Sequence, residues 1–274
     1  MEKVIIMTKE KIYVPILKWK RAEHHALRSF PLVSKREVMP LIEVVLPTVQ
    51  RHKDKAQTMK KSDEEMLSEM VQKYKDERMK EIPEEINAFW GPHPIYIDFS
   101  LIHDGKETSN LKVESINTII STAMSLGLHV VPVVSLSDDL AIKNAVTATN
   151  ERYHLGICVR IGAADLIDMA KLNDILETLD PQHTDLLFDM KDVKDGGEYA
   201  RLFRASQEAC KINAWRELIF ASGAFPVNLS QCKLDEPAVL PRYDWLNWIK
   251  QSSGAVNRIP KYADYTIRTP LFDE

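Results

Sequence analysis

The chain has 274 residues, 45% hydrophobic and 28% charged, with a formal net charge of −4. That length suits one (β/α)8 barrel, which takes about 250 residues, and the slight acidity gives no global drive toward nucleic acid or an anionic membrane. Three widely spaced cysteines, Cys158, Cys210 and Cys232, exclude a disulfide framework and CxxC-type zinc and fit a reducing cytoplasm.

No apolar run reaches the roughly eighteen residues of a membrane helix. The opening run around Val4–Met7 is too short for the core of a signal peptide. A cytoplasmic protein without a membrane partner is the expectation.

Eight short segments read as strands: Tyr13–Lys18, Val38–Val45, Ile95–Phe99, His129–Val134, Ile157–Ile161, Leu186–Asp189, Leu218–Ala221 and Tyr265–Arg268. Most are compact runs of Val, Ile and Leu, the composition of parallel strands covered by helices. Helical patterns fall between them. Ser62 and Glu65 have capping-box spacing, followed by Leu67, Met70, Val71 and Tyr74 on one face, with Pro83 expected to end or kink that helix. Val113, Ile116, Ile120 and Ala123 mark a second helix, with Gly127 at its C-cap. A third opens near Ser137 with Asp138 and Asp139 suited to the helix dipole. Leu166, Met169, Leu172 and Leu176 mark a fourth, and Leu202, Ser206, Ala209 and Cys210 a fifth. Residues 47–91 read as an inserted loop and helix, and 227–264 as an irregular excursion containing a short helix over Tyr243–Ile249. Alternating strands and helices predict an α/β fold: a single (β/α)8 TIM-like barrel spanning 1–274. An open doubly wound sheet would want a glycine-rich turn after the first strand. Lys18-Trp19-Lys20-Arg21-Ala22-Glu23 has no glycine.

In such a barrel, chemistry gathers at the C-terminal ends of the strands. Lys18 and Lys20 close the first strand on the face of Val14 and Ile16. Glu43, Asp98, Arg160 and Asp189 each interrupt or end a strongly apolar strand, and a buried charge needs a partner. Two functional readings stand side by side. Glu43, Asp98 and Asp189 form a carboxylate set that suits Mg²⁺ or another hard cation, as in a metal-assisted hydrolase or phosphodiesterase-like enzyme. Alternatively they supply acid–base catalysis while Lys18, Lys20, Arg160 and Ser222 bind an anionic small molecule. A third reading is structural, a closed ion-pair network inside the barrel. No spacing among these residues selects one metal or one reaction.

Lesser features accompany these residues. Arg51-His52-Lys53-Asp54-Lys55, continuing to Lys60 and Lys61, is a basic loop on the side of the mouth, suited to an anion or to a mobile solvated loop. His103 lies just beyond the third strand, and no HExxH or GxSxG pattern occurs. Ser222 precedes Gly223 on a tight turn but has no identified base. Trp245 and Trp248 have the spacing of a helix packed on the barrel.

Five stretches, two near the start and three near the end, carry a family likeness. Tyr13–Glu23 followed by Pro40-Leu41-Ile42-Glu43-Val44, and later Ser222-Gly223-Ala224-Phe225-Pro226, Arg242-Tyr243-Asp244-Trp245 and Tyr262–Ile267, resemble the phage T4-type "beta protein" family. The resemblance covers about Tyr13 to Pro270. It implies a phage–host setting, in phages and bacterial mobile regions, and supplies no catalytic residues to carry over. The shared motifs include Lys18, Lys20, Glu23, Glu43, Asp264 and Tyr265, which again direct attention to the strand ends. A non-catalytic interaction protein in phage defence or counter-defence, with a protein partner on 47–91 or 227–264, is the alternative to a ligand site.

Overall fold

The computed structural model describes residues 13–46, 63–103, 108–211, 214–230, 232–233, 236–255 and 258–270. Strands β1 (Tyr13–Lys18), β2 (Leu41–Glu43), β3 (Ile95–Asp98), β4 (Val130–Ser135), β5 (Ile157–Gly162), β6 (Thr184–Asp192), β7 (Glu217–Gly223) and β8 (Lys261–Asp264) lie parallel and close in sequence order. β8 pairs with β1, Val14 standing beside Ala263, so the sheet has no edge among these strands. The predicted (β/α)8 barrel is the observed architecture.

The period-two alternation of each strand separates two cores. Inward residues Val14, Ile16, Leu41, Tyr96, Val133, Cys158, Leu187, Ile219, Ala221 and Ala263 fill the barrel. Outward residues such as Leu17, Ile42, Ile97, Val159, Phe188 and Phe220 pack under the helices. Burial on both sides explains why these strands read as nearly unbroken apolar runs.

The outer layer comprises α1 (Arg21–Arg28), α2 (Leu32–Lys35), α3 (Asp63–Lys73), α4 (Met79–Phe89), α5 (Thr108–Ser125), α6 (Leu140–Tyr153), α7 (Met169–Leu176), α8 (Gly196–Ala209) and α9 (Tyr243–Ser252). Aspartates start three of them: Asp139, Asp168 and Asp195 accept from the backbone N–H of Ile142, Lys171 and Glu198. α5 ends as its sequence predicts. Gly127, at φ 69°, bonds to the Met124 carbonyl while Leu128 bonds to Ala123, closing a Schellman cap. No helix among the described residues is long and apolar enough to cross a membrane.

Two expectations are corrected. Pro83 neither ends nor interrupts its helix: α4 runs through it to Phe89, and the irregular turn falls earlier, as a π-helical segment Tyr74–Arg78 between α3 and α4. The eighth strand is Lys261–Asp264 rather than Tyr265–Arg268, which forms the turn beyond it. Ser62 and the basic loop Arg51–Lys61 lie outside the described residues.

Candidate functional site

Strand register brings the predicted charges to one end of the barrel. Lys18, Glu43 and Asp98 are the last residues of three adjacent strands and stand side by side in the ladder. Arg160 pairs in register with Leu187, two residues before Gly162 meets Asp189. All five face inward at the C-terminal end, each with 6% exposure or less.

Arg160 is the hub. Its Nε donates to Asp189 Oδ2 at 2.9 Å, and both Nη1 and Nη2 donate to Glu43 Oε1 at 3.1 Å. Nη1 also bonds Asp98, and Nη2 donates to the Tyr265 hydroxyl at 2.8 Å. That hydroxyl in turn donates to Asp189 at 2.6 Å. Two further cations reach the same carboxylates from outside: Arg268 Nη2 donates to Glu43 Oε2 at 2.7 Å, and Lys191 Nζ lies 3.2 Å from Asp189 Oδ2. Burial alone would raise the carboxyl pKa values of Glu43 and Asp189. The facing Arg160, with Arg268 and Lys191, overrides it and holds both below the usual carboxylate range.

Short backbone bonds fix two of the carboxylates. Asp98 and Asp189 each accept from the N–H two residues on, of Ser100 and Lys191. The second turn carries strain, since Lys191 sits at φ 53°, where β6 slips register against β7 between Asp189 and Asp192.

This arrangement sorts the expected site residues. Glu43, Asp98, Asp189 and Arg160 come together; Lys18 ends the neighbouring strand, buried. Lys20 lies beyond the strand, half-buried at the N-cap of α1. Ser222 does not face the mouth. It shares the outward side of β7 with Phe220, next to Tyr199 of α8, because the inward position is taken by Ala221. His103 is exposed past β3. The expected Mg²⁺ ligand set is not assembled: the guanidinium of Arg160 fills the space among Glu43, Asp98 and Asp189, and among the described residues no three His, Cys, Asp or Glu are placed to hold a metal. Glu43 and Asp189, held ionised by the facing cations, are also poor proton donors near neutral pH.

Three participants went unassigned in the sequence. Tyr265 and Arg268 were read as the bounds of the eighth strand, Tyr265 also as part of a shared family motif, and Lys191 was not singled out. The period-two rule does place Lys191 with Asp189, but the bulge and the left-handed residue re-aim the chain there.

Two other polar clusters complete the picture. At the opposite end of the interior, Arg216 donates twice to Asp185, both at 2.6 Å, and Tyr96 donates to the same carboxylate at 2.9 Å. On the outer surface, Tyr262 and Asp264 of β8 meet Arg242 and Asp244 at the start of α9. Tyr13 of β1 donates to Asp264 at 2.7 Å.

A (β/α)8 barrel whose mouth is closed by a buried ion-pair network is the class these features define. The Beta protein family profile matches residues 13–274, and the chain belongs to that family. No curated protein and no solved structure matches it.

Proposed function

We propose that the protein binds a small anionic ligand, phosphate- or nucleotide-like, at the C-terminal mouth of its barrel. One observation supports this above the rest: the accessible members of the ionic network are cations, and the carboxylates lie beneath them. The side chains of Lys191 and Arg268 are 46% and 20% exposed, against 2% for Glu43 and Asp189. A solute arriving at the network meets positive charge first, which raises the local concentration of anions. Arg160 then acts as the fixed floor of the site, with Asp98, Asp189 and Glu43 holding it in place.

A second reading rests on its own observation. The polar strand ends satisfy one another, as in a scaffold with no chemistry of its own, and α9 leaves Trp245, Leu246 and Ile249 41%, 57% and 46% exposed. On this reading the protein is a non-catalytic interaction partner in the phage–host setting that the family resemblance suggests.

A thermal-shift series separates the two. Inorganic phosphate, nucleotides, sugar phosphates and divalent cations are added to the wild-type protein and to an Asp98→Asn, Asp189→Asn variant. Stabilisation of the wild type by phosphorylated compounds, lost in the variant, supports the ligand site, because a solute binding only the native state raises its stability. Stabilisation by divalent cations alone revives the metal-assisted hydrolase. No shift with any anion defeats the proposal and favours the interaction protein.

A further inference from the structure

Resting on that reading, we propose that Lys191 and Arg268, both packed over the Tyr265 ring, form a two-cation clamp that grips a phosphoryl group, while Arg160 never touches the ligand.

The donor inventory of the three cations carries the argument. A guanidinium has five N–H donors and an ammonium three. Arg160 is saturated, with Nε, Nη1 and Nη2 all committed to Glu43, Asp98, Asp189 and Tyr265 inside the barrel. Arg268 is described donating through Nη2 alone, to Glu43 at 2.7 Å and more weakly to the Ile16 carbonyl at 3.5 Å. Lys191 contacts one carboxylate oxygen. Among the described residues these two therefore carry spare donors at the outer surface of the network, and Arg160 carries none. Spare N–H groups from two directions suit a ligand with several acceptor oxygens on one centre, which describes a phosphoryl group better than a carboxylate.

Geometry adds a second support. Both cations lie over one aromatic ring, Lys191 Nζ 5.1 Å and Arg268 Cζ 5.5 Å from the Tyr265 centroid. Tyr265 is itself pinned by its hydroxyl bonds to Arg160 and Asp189. The ring thus gives a common seat to two flexible heads, one from β6 and one from the turn after β8.

The backbone supplies a third. Lys191 and Thr266, which flank this ring, are two of the three non-glycine residues with positive φ among the described residues, at 53° and 58°. A lysine side chain gains nothing locally from that conformation, whereas asparagine or glycine would adopt it readily. Strain of this kind concentrates where a side chain must be aimed at a ligand.

The test is a calorimetric titration with inorganic phosphate and pyrophosphate, acetate serving as the carboxylate control. It is run on the wild type, on Lys191→Asn, Arg268→Gln and Arg268→Lys, and, as a control, on Lys194→Met, a nearby lysine whose ammonium lies 3.2 Å from Asp192 instead. Asparagine tolerates the left-handed backbone, so Lys191→Asn keeps the fold while removing the charge; melting temperatures without ligand check this for every variant. Phosphate and pyrophosphate should bind the wild type and Lys194→Met equally, and acetate should bind neither measurably. Lys191→Asn and Arg268→Gln should each weaken binding tenfold or more, with Arg268→Lys in between. If the wild type binds phosphate and both neutral variants bind it unchanged, the clamp is wrong and the anion site stands elsewhere at the mouth. If the wild type binds no anion, clamp and anion site fall together.

Discussion

At the scale of single residues, Arg160 governs the mouth. Arg160→Met leaves Glu43, Asp98 and Asp189 buried around an apolar side chain, and losing one partner of a buried ionic group costs about 3–5 kcal/mol. The pH dependence gives the sharper check. In the wild type the folded-state pKa values of Glu43 and Asp189 are depressed by the facing cations. Their contribution is therefore complete above about pH 5 and is lost as pH falls below about 4, through the depressed values. In the variant the largest opposing charge is gone, only Arg268 and Lys191 face the desolvation, and the carboxyls should rise above their unfolded values, so the sign should reverse. Urea titrations should show Arg160→Met gaining stability from pH 7 to pH 5, where the wild type changes little; parallel curves would mean the carboxylates do not depend on Arg160. Tyr265→Phe is milder. It removes the hydroxyl between Arg160 and Asp189, and about 1–3 kcal/mol lost at neutral pH is the expected denaturation result. At this scale the sequence was half legible. A charge inside an apolar strand announces itself, so Glu43, Asp98, Arg160 and Asp189 were all visible. Which side a residue faces near a strand end was not. Ser222 turns outward, and Lys191 is redirected by a bulge that no local pattern marks.

At the scale of elements, the connection of α9 to the barrel is polar where α4 to α8 use apolar stripes. α9 buries only Asp244 and Ser252. Its hold on β8 is the network in which Asp244 accepts from Arg242 and from Tyr262, while Asp264 accepts from Tyr13 and Tyr262. Trp245 and Trp248 stack at 5.4 Å and meet the edge of Tyr262, but Trp245 remains partly open to solvent. A helix held this way should release locally. Asp244→Ala is expected to abolish amide-exchange protection across Tyr243–Ser252 while leaving β5 and β6 protected, since local opening follows the loss of the few contacts that hold an element. Equal loss throughout would show that α9 is integral to the barrel. The same chemistry explains the misplaced eighth strand. In β1 and β3–β7 a buried outer face reads as an apolar run. β8 instead turns Tyr262 and Asp264 outward to partners on α9 and β1 that are distant in sequence, so Tyr-Ala-Asp does not look like a buried strand.

At the scale of the whole molecule, the barrel interior is an apolar layer between two ionic plugs, Arg160 with its carboxylates at the mouth and Arg216 with Asp185 and Tyr96 at the base. Asp185 and Asp189 are four residues apart on β6, which separates the plugs by about 13 Å at 3.3 Å per residue. Val133, Cys158, Leu187 and Ile219 pack in the interior cluster between those levels. Sites that far apart with no shared partner should contribute independently. On the proposed function the ligand belongs to the mouth, where Lys191 and Arg268 lie over Tyr265, and among the described residues the base shows no such cation pair. Replacing the base plug by Asp185→Leu with Arg216→Met removes both charges together, so no buried charge is stranded, and the cost should be limited to about 1–3 kcal/mol, from the Tyr96 hydroxyl that loses its acceptor. The phosphate-induced rise in melting temperature should survive that change intact. It should disappear in Arg160→Met, and the triple variant should combine the two stability effects within about 0.5 kcal/mol. Loss of the phosphate response on changing the base would couple the two ends, and the mouth could then no longer be treated as a site built on a rigid, independent floor.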